Sequence, residues 1–138
     1  MKKLIVILTL ITSSAFSQIT IKGRVIRIEN CVFTDIGCMR LDYIQPSETF
    51  FHFTDTEFFT RGTINTGMYK LFDKDTTGFE KDRIISYMAN RNKDLYMIAI
   101  RESQDDPAQL LIAVFPFNGE LKYRQYIVRI GKYKLNNK

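Results

Sequence analysis

Apolar and polar residues alternate along most of this chain, and the alternation has the period of a β-strand rather than of a helix. From Ile19 to Glu29 the apolar positions run Ile19, Ile21 and Val25, then change phase to Ile26 and Ile28. Beside Gly23, that phase change predicts a bulge or bend within one strand. Farther on, Met39, Leu41 and Tyr43 share one side of a strand pattern, with Arg40 and Asp42 on the other. After Pro46 the run "ETFFHFTDTEFFT" is dense in aromatics and threonine, and Thr54-Asp55-Thr56 divides it as a turn between two short strands. The runs "GMYKLF", "RIISYMA" and "LYMIAIRE" continue the pattern, with "NRNKD" joining the last two as a hairpin.

The C-terminal third carries the most specific local signal. Asn118-Gly119 is the preferred pair for a two-residue type I′ hairpin turn, where both central residues need positive φ. A two-residue loop would pair Val114 with Tyr123, Ile112 with Gln125 and Leu110 with Ile127. Leu110, Ile112, Val114, Tyr123 and Ile127 would then share one face. Lys122, Arg124 and Tyr126 would share the other, read as a solvated outer face. Pro116 lacks a donor and belongs at an outer or terminal ladder position.

No segment sustains a helical period over three turns. In residues 76–92, Phe79, Arg83, Ile84 and Tyr87 suit a short helix and a strand equally well. The pattern therefore predicts an all-β fold with at most one short helix, of about eight or nine strands, as a small antiparallel β-barrel or a two-layer sandwich. An up-and-down barrel is favoured, because sequential hairpins build it and closure removes exposed edges.

The first 17 residues alter this picture only at the N-terminus. Lys2-Lys3, an apolar stretch from Leu4 to Ile11 and a small-residue ending at Ser17 have the layout of a secretory signal peptide. The apolar stretch is shorter than the roughly 20 residues that span a bilayer. The expectation is a leader over residues 1–17, a single β domain over 18–138, no integral membrane segment in the mature chain, and a secreted or periplasmic location in a bacterium. The composition is that of an ordinary globular protein, 45% hydrophobic and 25% charged. The formal charge of +5 includes both leader lysines and names no partner.

Export bears on Cys31 and Cys38, the two cysteines of the chain. In an oxidising compartment a disulfide between them is expected, where a cytosolic pair would more often signal metal or catalysis. Asp35 and Gly37 suit a turn between them, and the closed loop would stabilise by roughly 2 to 3 kcal/mol in the chain-entropy model. Redox motifs usually place two residues between their cysteines, and here six intervene.

Candidate chemistry is sparse. Asp73, Asp75, Thr77 and Gly78 fall where a calcium-binding EF-hand loop begins, but its twelfth position is Ile84 and its apolar eighth position is Glu80. A polar turn is the better reading, so these residues remain a weak metal candidate and no cofactor is expected. His52, the sole histidine, alternates with Phe51 and Phe53 and would line a ligand cavity or fill a polar strand position. Tyr87, Tyr96 and Tyr123 are candidates for presenting hydroxyls to such a cavity. Asp55 and Glu57 would make a carboxylate pair only if no turn parted them. No nucleophile motif is present, so an enzyme is not expected. Acidic residues interspersed among the basic ones argue against a nucleic-acid partner.

A leader followed by a small aromatic-rich β domain resembles the layout of lipocalin-like secreted proteins. Their Gly-x-Trp near the first strand has no counterpart here, since the chain contains no tryptophan, and no family is assigned on that outline. Two functions from different classes are expected: a binding module for a small apolar or aromatic ligand held in the barrel, or a protein-interaction domain, an inhibitor or envelope component, with a filled core.

Overall fold

The alternation folds as its period requires. A computed structural model of the chain describes residues 20–103, 106 and 108–130, so the expected leader lies outside the described residues. Nine strands form an antiparallel sheet: β1 (Thr20–Thr34), β2 (Gly37–Ile44), β3 (Thr49–Thr54), β4 (Glu57–Gly62), β5 (Tyr69–Asp75), β6 (Ile84–Arg91), β7 (Asp94–Glu102), β8 (Gln109–Pro116) and β9 (Lys122–Ile130). Neighbours in sequence are neighbours in space from β3 to β9, and β1 pairs with both β3 and β9. The result is an eight-stranded closed barrel plus one extra strand, β2.

β1 is long enough to serve three partners. Its first part, Thr20 to Arg24, pairs with β3, and its second part, Ile28 to Thr34, pairs with β2. On its other side it pairs with β9 from Gly23 to Val32, with a register shift between Val25 and Arg27. That shift is the bulge predicted from the phase change, and it returns Val25 and Ile28 to the same, fully buried side. Gly23 sits just before it because a Cβ there would overlap the Arg129 carbonyl oxygen and press on the Phe51 ring.

Every second side chain points into the barrel. Phe51 and Phe53 of β3, Phe58 of β4, Ile85 and Tyr87 of β6, Ile98 and Ile100 of β7, and Leu110 and Ile112 of β8 are all buried. The rings meet edge to face, Phe53 on Tyr87 at 5.5 Å and Phe58 on Tyr126 at 5.4 Å, geometries their quadrupoles favour. A one-turn helix, α1 (Phe79–Asp82), lies between β5 and β6. It ends at Arg83, which has φ of 57°, and it adds the buried Phe79 to the core. Strand formation by Ile84 to Arg91 thus takes most of the segment that also suited a helix.

Two turns and one strand end are as expected. Thr54 Oγ1 accepts hydrogen bonds from the backbone N–H groups of Thr56 and Glu57 at 3.1 Å, fixing the turn that separates Asp55 from Glu57. Asn92 and Lys93, both with positive φ, make the two-residue turn between β6 and β7. Pro116 ends β8.

The β8–β9 hairpin departs from its predicted register by one residue. Val114 pairs with Arg124, Ile112 with Tyr126 and Leu110 with Val128. The connection runs from Phe117 to Leu121, and of Asn118 and Gly119 only Gly119 has positive φ. The Asn118 side chain instead accepts from the Glu120 N–H at 3.0 Å, a local side-chain turn that competes with type I′. The slip carries Arg124, Tyr126 and Val128 to the interior and Tyr123 to the exterior.

β2 also breaks strict alternation. A register shift opposite Asn30 and Cys31 leaves Leu41 without a partner, so Arg40 and Tyr43 lie on one side, the Arg40 guanidinium 4.9 Å from the Tyr43 ring. The expected grouping of Met39, Leu41 and Tyr43 is therefore corrected.

Candidate functional site

The two ends of the barrel differ. One end, where α1 and the β3–β4 turn lie, is filled by Phe53, Phe79, Ile85 and Ile100. The opposite end opens into a pocket of about 510 Å³.

Its walls come from strand ends that leave the core in phase. On β6 the inward series Ile85, Tyr87, Ala89 ends at Arg91, and on β9 the series Ile130, Val128, Tyr126 ends at Arg124. β5 contributes the buried Tyr69, β7 the half-buried Tyr96, and β8 Val114 and Pro116. Asn30 of β1, with Leu41 and Asp42 of β2, forms the facing wall.

The remaining side is a loop, because β4 and β5 are zipped over only a short stretch, Glu57 opposite Lys70 and Phe58 opposite Tyr69. Residues 63–68 fill the gap with side-chain hydrogen bonds in place of a ladder. Thr66 Oγ1 accepts from the Thr60 N–H at 3.0 Å, Thr60 Oγ1 donates to the Ile64 carbonyl at 3.0 Å, and Asn65 Oδ1 accepts from the Gly62 N–H at 3.2 Å. These bonds satisfy groups of β4 that would otherwise be unpaired near the core.

Arg91 organises the mouth. Its guanidinium lies 4.6 Å from the Tyr69 ring centre and 5.5 Å from that of Tyr96, while the two rings meet edge to face at 5.1 Å. Nη1 donates to the Thr66 carbonyl at 2.7 Å and Nη2 to the Tyr96 hydroxyl at 3.4 Å, leaving a buried Nε with no acceptor. Arg124 Nε donates to Asn30 Oδ1 at 3.0 Å, and the Asn30 amide donates in turn to Asp42 at 2.5 Å. Burial raises the Tyr69 phenol well above its usual range, with neighbouring Tyr126 adding to the effect and Arg91 opposing it. Tyr126 is raised by burial too, against the field and hydrogen bond of Arg124. Both phenols are therefore neutral donors at ordinary pH.

The expected ligand-facing residues divide. Tyr96 lines the pocket. Tyr87 does not: it is 1% exposed, its hydroxyl donates to Asp55 Oδ1 at 2.7 Å, and burial first and that carboxylate second raise its pKa. His52 lies on the outer face, its ring stacked on Phe59 at 5.1 Å and its Nε2 3.3 Å from Glu57. Tyr123 also lines the pocket, while its ring stacks with Phe115 at 4.6 Å and Phe33 at 4.9 Å.

The expected disulfide is also corrected, since Cys31 and Cys38 are free thiols, the first buried and the second exposed. The hairpin register sets Cys31 opposite Arg40 and Cys38 opposite Phe33, so the cysteines are diagonal neighbours. Diagonal positions sit roughly 7 to 8 Å apart, at or past the Cα separation of about 7 Å beyond which a disulfide does not form without backbone movement. Burial raises the Cys31 thiol, and a hydrogen bond with Tyr123 opposes that rise.

At the weak metal candidate, Asp75 Oδ1 accepts from both the N–H and the hydroxyl of Thr77, at 2.9 and 2.7 Å, which lowers its pKa. Asp73, with φ of 52°, falls within the register shift of β5. Among the described residues no three His, Cys, Asp or Glu side chains gather as a metal site, and no helix is long and apolar enough to cross a membrane.

The sequence reading missed Arg91, Arg124, Tyr69 and Tyr126. Arg91 had a signal: it continues the two-residue phase of Ile85, Tyr87 and Ala89, an arginine on an otherwise apolar side. Arg124 and Tyr126 had none, because the hairpin register decides their side. No protein family, curated protein or solved structure matches this chain, so the geometry alone carries the functional reading.

Proposed function

We propose that this protein is a non-enzymatic binding module that holds a small molecule in the open end of its barrel. The observation that carries the reading is the pocket of about 510 Å³ bounded by Tyr69, Tyr96, Val114 and Pro116. Its volume falls in the range typical of small-molecule sites, about 300 to 1,000 Å³, and its lining combines aromatic and aliphatic side chains with a larger share of polar and charged groups. The filled end of the barrel supplies the rigidity that holds such walls in place. An open mouth weighs against the alternative of an interaction domain with a wholly filled core. The leader-like layout of residues 1–17 supports an exported carrier, in the periplasm or medium of a bacterium.

Native mass spectrometry of protein purified from the compartment where it accumulates tests the reading. A retained small molecule that leaves on denaturation supports it, as does saturable fluorescence enhancement of anilinonaphthalene sulfonate that the released molecule reverses. Protein of bare polypeptide mass that fails to enhance the dye would rule it out.

A further inference from the structure

The pocket carries more positive charge than its wall can neutralise. Arg91, Arg124 and Lys122 line it, against the single carboxylate of Asp42. Among the described residues none of these three cations forms an ion pair. Arg124 reaches Asp42 only through the Asn30 amide, and Arg91 is held by neutral oxygens of Thr66 and Tyr96. Two guanidiniums line the partly buried mouth of one barrel with no carboxylate paired to either, and the buried Nε of Arg91 has no acceptor among the described residues. An anion answers both needs, and a planar carboxylate matches the fork of a guanidinium. Beside the cations stand the Tyr69 and Tyr96 rings, set at 88° to each other. Together they form an aromatic wall of the pocket, with Tyr96 the more exposed of the two rings.

From this arrangement we infer that the ligand is a planar aromatic acid, its carboxylate held by Arg91 and Arg124 and its ring by Tyr69 and Tyr96. The inference rests on the binding reading above and adds the ligand's class. The positive charge of Lys122 and Arg124 draws the acid in from the rim, while Asp42 disfavours ligands of higher negative charge.

Isothermal titration with naphthoate and with its uncharged isostere naphthamide tests the inference. The wild-type protein should bind naphthoate at least about tenfold more tightly, as expected for charge-assisted hydrogen bonds that the amide cannot form. Arg124→Gln should weaken naphthoate binding by at least about fivefold and so narrow that preference, and an unchanged naphthoate affinity would overturn the assignment of the carboxylate. If Arg124→Gln does not fold, the salt dependence of wild-type binding serves instead, and naphthoate affinity should fall with added chloride while naphthamide affinity does not. Equal affinities for the two compounds would overturn the assignment of an acid and leave the pocket as a neutral-ligand site. Binding of neither would count against the pocket reading itself. Displacement of naphthoate by inorganic phosphate at equal concentration would overturn the aromatic part, because the cations alone would then be the recognised feature.

Discussion

Replacing Tyr87 by phenylalanine separates a structural hydroxyl from a ligand-binding one. The substitution keeps the ring that packs on Phe53 at 5.5 Å and removes the hydrogen bond to Asp55 at 2.7 Å. A hydrogen bond to a charged group contributes about 1.5 to 3 kcal/mol. Asp55 keeps the Lys74 ammonium at 3.1 Å and its side chain is 19% exposed, so water and that partner offset part of the loss. The expected cost is therefore about 1 to 2 kcal/mol, which lowers Tm by about 4 to 8 °C for a domain of this size. Urea denaturation followed by circular dichroism gives the free energy, and the m-value should not change because the ring stays buried. A double-mutant cycle with Asp55→Asn should recover most of the cost as coupling between the two positions. Ligand affinity should match wild type, since Tyr87 lies among core side chains away from the mouth. Unchanged stability would refute the structural role of the hydroxyl, and weakened ligand binding would refute its placement.

Gly23→Ala should destabilise by about 1 to 3 kcal/mol, because the new methyl meets the Arg129 carbonyl at the β1–β9 seam and the backbone must move to admit it; thermal unfolding measures this, and an unshifted Tm would contradict that close approach. In the native protein Cys38 should react rapidly with a disulfide reagent and Cys31 slowly, the first exposed and the second buried with a raised thiol pKa. Two equally fast thiols, or none in protein kept free of oxidants, would contradict the hairpin register. Stability should hold through neutral pH and fall at alkaline pH. Tyr69, Tyr87, Tyr123 and Tyr126 all have folded values raised above the ordinary 10.0. Each is therefore protonated in both states below that pH, where its contribution is complete, and the contribution is lost as pH climbs toward the folded value. Tyrosinate absorbance near pH 10 that accounts for all seven tyrosines in still-folded protein would exclude this.

The legible parts of the fold were those set by local periodicity and turn chemistry. Alternation set Phe51 and Phe53 on one face and His52 on the other without saying which face is the interior, and the threonine hydroxyl at residue 54 made the turn its neighbours suggested. The bulge in β1 was legible because Gly23 and the phase change occur together. Long-range registry was not legible. Asn118-Gly119 favours a two-residue loop by φ preference, but the Asn118 side chain bonds the Glu120 N–H instead, and the longer connection shifts β9 by one residue. That single shift hid Arg124 and Tyr126, two of the four pocket residues that the sequence reading missed. The cysteines failed for the same reason, since adjacency in a hairpin does not distinguish opposite from diagonal positions. No local pattern reveals that β1 divides one flank between β2 and β3, because the division depends on where the barrel closes.

That closure has a consequence for synthesis. β1 finds β9 about 100 residues later, so a chain leaving the ribosome carries an unsatisfied amide edge on its earliest strand until the final hairpin emerges. Separations of this kind slow folding and leave intermediates open to mispairing. The nascent protein should therefore depend on a holding chaperone far more than the finished molecule does.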